Sequence, residues 1–437
     1  MKKGNPIALL PIGVFLALYL GLGLWFEYGL KIPMGFYNIP IVIAFLVAIL
    51  VACLQNKSLS FDKKLEIMGQ GVGDKNIITM LLIFLAAGAF VGVVGRSSAQ
   101  SVAYFMLSVI PPQFGVAVLF VVSCFISTAM GTSVGTITLL TPIAVEVATA
   151  AAFDPALCIA TVVGGSMFGD NLSMISDTTI AAVRTQGCEM KDKFIMNFGI
   201  VLPAAIATLV ILVIVTPAGN SMPELGEYNI FKVIPYLVVL IGALIGLNVF
   251  GVLMAGIVLS VIVGISTGMF PWTDIFNVTF KGISGMYDIT VISIIVACIG
   301  ALVSHGGGIQ AIIDFIHARI NTKKGAQLGI AALVAGVDIA TANNTIAIVM
   351  AGPIAKDISD EFGIDPRRTA SLLDIFASVV QGLIPYGAQL LYAVAGAASM
   401  GYTISSVRLL PYLYYPVLMC VCALVFIFFI PDKKSAK

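Results

Sequence analysis

Apolar runs long enough to cross a bilayer recur along the whole chain, at about 6–28, 39–53, 116–150, 156–185, 194–216, 230–250, 252–269, 326–361, 368–400 and 408–430. A helical crossing needs roughly 20 predominantly apolar residues, so 39–53 must borrow from its flanks. Lipid offers the backbone no hydrogen-bond partners, and runs of this length satisfy themselves as helices. The fold class that follows is an all-α membrane protein. Charged residues make up only 10% of the 437 positions and the AVILMFWYC set 59%, whereas soluble domains carry about 25% charge. The net charge of +1 leaves no basic footprint for nucleic acid, and two histidines cannot build a histidine cage. Six of the seven cysteines lie inside apolar runs without zinc or disulfide spacing, and read as small hydrophobes. The opening MKKGNPIALLPIGVFLALYL has the outline of a signal peptide, but its apolar stretch continues to Phe26 with no A-x-A site. It reads as the first transmembrane helix.

Four of the long runs, 116–150, 156–185, 326–361 and 368–400, are interrupted by Gly, Pro, Ser, Thr, Asn and Asp and read as broken spans. Two further apolar stretches, 76–94 and 289–303, run into Gly95-Arg96-Ser97-Ser98 and Ser304-His305-Gly306-Gly307-Gly308. These turns predict two re-entrant hairpins, making about ten crossings plus two hairpins. With both termini cytoplasmic, the inner loops hold 15 of the 23 basic residues, Lys191, Lys193, Arg367 and Arg368 among them. That excess follows the positive-inside rule, although Lys323 and Lys324 fall on the wrong side.

Sliding the chain by 211 residues pairs Pro142-Ile143-Ala144 with Pro353-Ile354-Ala355, Asp154-Pro155 with Asp365-Pro366, and Ala182-Val183 with Ala393-Val394. The interruptions coincide as well, STAMGTSVGT over DIATANNTIA and GDNLSMISDT over VQGLIPYGAQ. Each half then has five crossings, an odd number, so the halves must be inverted. Inverted repeats with broken helices point to a secondary transporter with its site near the bilayer midplane.

An intramembrane charge costs about 2.5–3.5 kcal/mol on insertion scales, so each needs a reason. The sharpest cluster is Gly169-Asp170-Asn171-Leu172-Ser173-Met174-Ile175-Ser176-Asp177-Thr178-Thr179, with two carboxylates, one carboxamide and four hydroxyls in an otherwise apolar run. An unwound turn there would add backbone carbonyls, and together these oxygens suit a hard cation such as Na⁺ at Asp170, Asn171 and Asp177. The candidate cation and proton residues are Asp170, Asn171, Ser173, Asp177, Asp338, Asn343, Asn344 and Thr345. Arg96, Ser97, Thr132, Ser133, His305 and Gln389 are candidates for holding a solute, with half-helix N-termini favouring a carboxylate. Asp374 reads equally as a proton carrier or the partner of a neighbouring polar group, while Glu146 and Arg184 read as solvated helix ends. No Ser-His or H-E-x-x-H arrangement supports an enzyme.

At GDNLSMISDTTIAA, residues 169–182, the chain resembles the NhaC-type Na⁺/H⁺ antiporter family, whose signature is Gly-Asp-Asn-x-Ser-x-x-Ser-Asp-Thr, with Met174 where the family has Pro. Its length is closer to a subgroup associated with amino-acid transport. The family belongs to the ion-transporter superfamily, whose members resemble one another in paired hairpins and Ser/Asn/Thr-containing breaks; Asn344-Thr345 fits that pattern whereas Ser133-Val134 lacks the Asn. The resemblance implies transport regions at 76–185 and 289–400, flanked by scaffold at 1–75, 186–288 and 401–437. It further implies elevator motion, often in a homodimer, in the cell inner membrane. Two functions follow as expectations. The first is Na⁺/H⁺ antiport with no cofactor beyond the transported ions. The second is Na⁺- or H⁺-coupled movement of an amino acid or small carboxylate.

Overall fold

The computed structural model describes residues 4–32, 38–55, 57, 59–173, 176–216, 227–245, 247–317 and 321–432, and among these every regular element is helical. Met174, where the signature differs, lies outside them. The first run forms α1 (Leu10–Leu16), which continues as wider π-helical turns at Ala17–Leu22 and Trp25–Gly29. Then come α2 (Ile41–Gln55), α3 (Phe61–Val72), α4 (Lys75–Val109), α5 (Gly115–Met130), α6 (Ser133–Ala150), α7 (Pro155–Leu172) and α8 (Asp177–Gln186). The middle of the chain supplies α9 (Met190–Val215), α10 (Ile230–Leu244), α11 (Val249–Ser266), α12 (Ile275–Ser284), α13 (Tyr287–His305) and α14 (Gly308–His317). The last third supplies α15 (Lys323–Thr341), α16 (Asn344–Phe362), α17 (Pro366–Leu383), α18 (Ala388–Ser399), α19 (Ser406–Leu409) and α20 (Tyr414–Phe429).

The chain reverses at other places than the sequence predicted. Gly95 does break α4, with φ 66° and ψ 167°. However, Arg96 Nε lies 2.7 Å from Glu146 Oε1, and Leu107 packs beside Gly115 close to Val147. Residues 96 and 107 therefore flank the same end of α6, and the second half of α4 runs along that end instead of turning back. The turn at 304–308 behaves alike. Gly300, Ala301 and Ser304 face Ile346, Val349 and Met350 across one cavity, and Ile312 lies over Gly336 of α15, so α14 stays at that depth.

The true reversals are in two runs expected to be broken spans. Gly115, opening α5, lies beside Val147 near the end of α6, so these helices form a hairpin with its tip at Gly131 and Thr132. Lys323 Nζ, opening α15, donates to Gly363 O just past α16 at 2.8 Å, closing a second hairpin with its tip at Ala342 and Asn343. Both tips use the same local chemistry. A left-handed residue ends the first helix (Gly131, φ 67°, and Ala342, φ 49°). The next side chain then caps the following helix, Thr132 Oγ1 accepting from Gly135 N and Asn343 Oδ1 from Ile346 N.

The broken helices thread between the hairpins. Gly165 and Gly169 of α7 leave no room for a Cβ against the α5 backbone at Phe120 and Cys124, which lets α7 run beside α5 toward the tip. Past the break, α8 reaches Gly352 of α16, whose carbonyl accepts from Gln186 Nε2 at 2.8 Å. The second broken helix runs the opposite way: Gln381 of α17 donates to Ala342 O, and α18 passes Ser133 at Gln389 and Thr141 at Gly396. The hairpins thus enter from opposite ends, and their tips meet where α7–α8 and α17–α18 break. The starts of α6 and α16, α7 and α17, and α8 and α18 (133 and 344, 155 and 366, 177 and 388) are each 211 residues apart.

The first half of α4 packs against α10, α11 and α12, and its Thr79 and Ile83 also border the meeting point of tips and breaks. A Cβ on Gly282 would come within 2.1 Å of Gly88 O, so α4 and α12 cross backbone on backbone. Two variants test these readings by thermal melting of detergent-purified protein. Gly282→Ala should destabilise by about 1–3 kcal/mol through overpacking. Gly131→Ala should cost about 1 kcal/mol through its left-handed backbone alone.

Candidate functional site

Where the tips and breaks meet, polar groups close on a cavity of about 110 Å³. Asp170 is its centre. It sits in the last turn of α7 and is 7% exposed, because α7 cannot continue past Ser173, whose backbone is extended. Its Oδ2 accepts from Ser133 Oγ at 2.8 Å, at the first position of α6, and its Oδ1 accepts from Ser176 Oγ at 2.6 Å, before α8. One carboxylate thereby ties a hairpin tip to both sides of a helix break. Ser176 Oγ also lies 2.9 Å from Thr178 Oγ1, and Gln389 Nε2 donates to Ser133 Oγ at 3.3 Å.

Of the residues singled out in the sequence, Asp170, Asp177, Asn343, Asn344, Thr345, Thr132, Ser133 and Gln389 all line this cavity. Asp177 opens α8 with its side chain exposed, adding a second carboxylate. Ser176 and Thr178, two of the four hydroxyls counted in the acidic cluster, also line it, as does Gln381, to which the sequence reading gave no role. Gln381 stands 211 residues after Asp170, so the repeat could have found it. Among the described residues no basic side chain lines the cavity. The first turns of α6, α8, α16 and α18 all border it, and their positive ends offset the two carboxylates. The ends of the unwound turns leave backbone carbonyls at the same place.

The other candidates lie apart. Asn171 turns away: its Nδ2 donates to Ser378 Oγ at 3.2 Å and its carbonyl accepts from Lys193 Nζ and Asn197 Nδ2, both at 2.9 Å. Ser173 is buried outside the cavity lining. Asp338 is fully buried below the second tip, and neither carboxylate oxygen has a hydrogen-bond partner among the described residues. An ionised carboxylate left so is costly, which makes Asp338 a group that a proton or a cation would neutralise. Arg96 and Ser97 sit at the far end of α6, about 13 residues or roughly 20 Å from Ser133. His305 borders a separate cavity with Gln55 and Gly306.

Several charges differ from their sequence reading. Glu146 is 2% exposed and held by Arg96, so it is no solvated helix end; Arg184 is exposed as expected. Lys193 and Arg368, assigned to loops, are buried. Lys193 Nζ pairs with Asp374 Oδ2 at 2.6 Å, which makes Asp374 a partner and not a free carboxyl. Arg368 Nε donates to Gln327 Oε1 at 2.7 Å, and its guanidinium lies 4.0 Å from the Phe426 ring centre. The available signal for Lys193 was its spacing of four from Asn197, which puts both on one face of α9.

Chemically, the cavity offers hard oxygen donors from carboxylate, hydroxyl, amide and backbone, which suits a small alkali cation exchanging with a proton at a carboxylate. Among the described residues no three His, Cys, Asp or Glu side chains gather to form a resident metal site.

The chain matches the Na⁺/H⁺ antiporter family over residues 35–216 and 222–430. It is 24% identical over 354 residues to the Na⁺/H⁺ antiporter NhaC of Bacillus subtilis strain 168, covering 72% of this chain and 77% of that one. It is 21% identical over 430 residues to the malate-2H⁺/Na⁺-lactate antiporter of the same organism, covering 90% and 89%. A solved transporter, YdaH of Alcanivorax borkumensis, aligns over 90% of this chain and 99% of its own at 15% identity, with a TM-score of 0.45. With matched segments spanning nearly the whole sequence, the chain belongs to the Na⁺/H⁺ antiporter family.

Proposed function

We propose that this protein exchanges Na⁺ for H⁺ across the membrane, with Asp170 as the group for which the two cations compete. The observation that carries this is the position of Asp170, bonded through separate oxygens to Ser133 and Ser176 in a cavity with no basic side chain among the described residues. Na⁺ entering there would take the carboxylate, the two hydroxyls and carbonyls freed at the unwound turns as ligands. A proton on Asp170 would remove the charge that holds Na⁺, so the site carries either ion and not both. Asp177 sets the local potential from the start of α8, and Asp338, buried below the second tip with no hydrogen-bond partner among the described residues, is a second group able to take up a proton. Membership of the Na⁺/H⁺ antiporter family supports the same reading.

In this reading the halves form an inverted repeat, and two membrane-entering hairpins meet at its centre. The cytoplasmic side is the end carrying the base of α15–α16. That choice puts Lys323 and Lys324 with Arg367, Lys191 and Arg184 on the positive-inside face and removes their dissent. The moving unit comprises the hairpins, the broken helices and also α9, because Lys193, Asn197 and Ser371 bind α9 to α7 and α17.

A second reading has its own observation. A larger, mostly apolar cavity of about 280 Å³, which Asp74, Ser293 and Ser304 also border, shares Asn343 and Ala388 with the first. It would hold a small carboxylate beside the cation, with the α16 N-terminus toward the anion. A relative named as a malate/lactate antiporter favours keeping that exchange in view.

Proteoliposomes with an internal pH dye separate the readings. A Na⁺ gradient alone should move internal pH under the first, whereas the second requires added malate, lactate or an amino acid. Losing a charged ligand costs about 1.5–3 kcal/mol, so Asp170→Asn should weaken apparent Na⁺ affinity roughly 10- to 100-fold. Wild-type flux in that variant would remove Asp170 from the site. Arg96→Ala, altering a residue far from the cavity, should leave apparent Na⁺ affinity within about twofold; a larger change would contradict the distances.

A further inference from the structure

Behind the break, on the side of α7 away from the cavity, Lys193 Nζ has three oxygen partners. It donates to Asn171 O at 2.9 Å and Thr179 Oγ1 at 2.6 Å, and pairs with Asp374 Oδ2 at 2.6 Å. All three ammonium protons are thereby used, and Lys193 and Asp374 are 1% and 0% exposed. A carboxylate, a hydroxyl and the carbonyl of a helix about to unwind are the donors that a small hard cation takes in a protein. The shell is also fixed independently of the lysine. Asn197 Nδ2 donates to the Asn171 carbonyl at 2.9 Å and to Asp374 Oδ2 at 2.8 Å, and Ser371 Oγ holds Asn197 Oδ1 at 2.5 Å. Asp374 Oδ1 has no hydrogen-bond partner among the described residues.

We propose that this shell is a second cation site and that Lys193 fills it with a tethered ammonium in place of a metal ion. The ammonium keeps Asp374 neutralised and the break in α7–α8 cross-linked to α9, yet it cannot leave. The mobile cation of the cycle is then confined to the Asp170 cavity, and the second site contributes a charge that is carried but never released. The tethered ammonium itself stands on the contacts of Lys193, whereas its consequence for the mobile cation rests on the exchange proposed at Asp170.

Removing the ammonium should open the site to Na⁺. Lys193→Met, which fills the stem volume without the charge, is purified in parallel in NaCl and in choline chloride, alongside wild type and the Lys193→Met/Asp374→Asn double variant. The expected result is a Na⁺-over-choline rise in melting temperature several degrees larger in Lys193→Met than in wild type, and back to the wild-type difference in the double variant. A purely structural ion pair would show no cation preference on losing its lysine. Equal melting of Lys193→Met in both salts, its failure to fold in either, or an undiminished Na⁺ preference in the double variant would each overturn the proposal.

Discussion

Helix ends that stop inside an apolar bundle are the constraint on which everything else in this protein depends. The tips of α5–α6 and α15–α16 and the breaks in α7–α8 and α17–α18 each leave backbone N–H and C=O groups that lipid cannot satisfy. The chain answers partly with side-chain caps, Thr132 and Asn343 at the tips and Asp154 and Asp365 at the starts of α7 and α17. It answers partly by pointing the remaining ends at one another across a small polar cavity. Asp170 is the group that joins them, since it bonds to Ser133 at one tip and Ser176 across one break. The same helix ends that would destabilise an ordinary core here face one another around the candidate site.

Charge elsewhere in the interior follows a consistent rule. Arg368 is matched to Gln327, the Phe426 carbonyl and the Phe426 ring, and Glu146 to Arg96. Such pairs add little net stability, because desolvation offsets the attraction, but losing one partner is expensive. They therefore fix geometry. Arg96–Glu146 fastens the surface-running half of α4 to the end of α6, and Lys323, which also pairs with Asp432, closes the base of the second hairpin. Against that background Asp338 stands out, since neither carboxylate oxygen has a hydrogen-bond partner among the described residues.

Much of this was legible in the sequence, and the failures have physical reasons. Residues 169–179 announced the centre of the site because two aspartates in an apolar run have few structural excuses. The 211-residue shift marked which segments would share a construction, down to the matching starts of α6 and α16. The places where the chain turns back were not legible. A hairpin of two short helices, 115–150, has the same length and hydropathy as one long interrupted crossing, and only tertiary contact shows that Gly115 returns to Val147. Gly95 and Gly306–Gly308 carried stronger turn chemistry than Gly131 or Ala342, yet past Gly95 the chain runs along the end of α6 and past Gly308 it lies over Gly336 of α15. Lys193 escaped for a related reason. It sits at the edge of a hydrophobic run where lysine ordinarily reaches water, and only the neighbouring α17 supplies the aspartate that buries it.

Competition between Na⁺ and H⁺ at Asp170 is the central claim, and the pH dependence of apparent Na⁺ affinity tests it most directly. The measurement is Na⁺-driven proton flux in proteoliposomes, titrated with Na⁺ at a series of pH values, for wild type and Asp170→Asn. For one proton competing with one Na⁺, the apparent KM should rise toward tenfold per unit fall in pH on the acidic limb while the maximal rate holds. The variant should lose that dependence. A wild-type KM that does not change with pH, or an Asp170→Asn variant that keeps the full dependence, would contradict a shared site at this carboxylate.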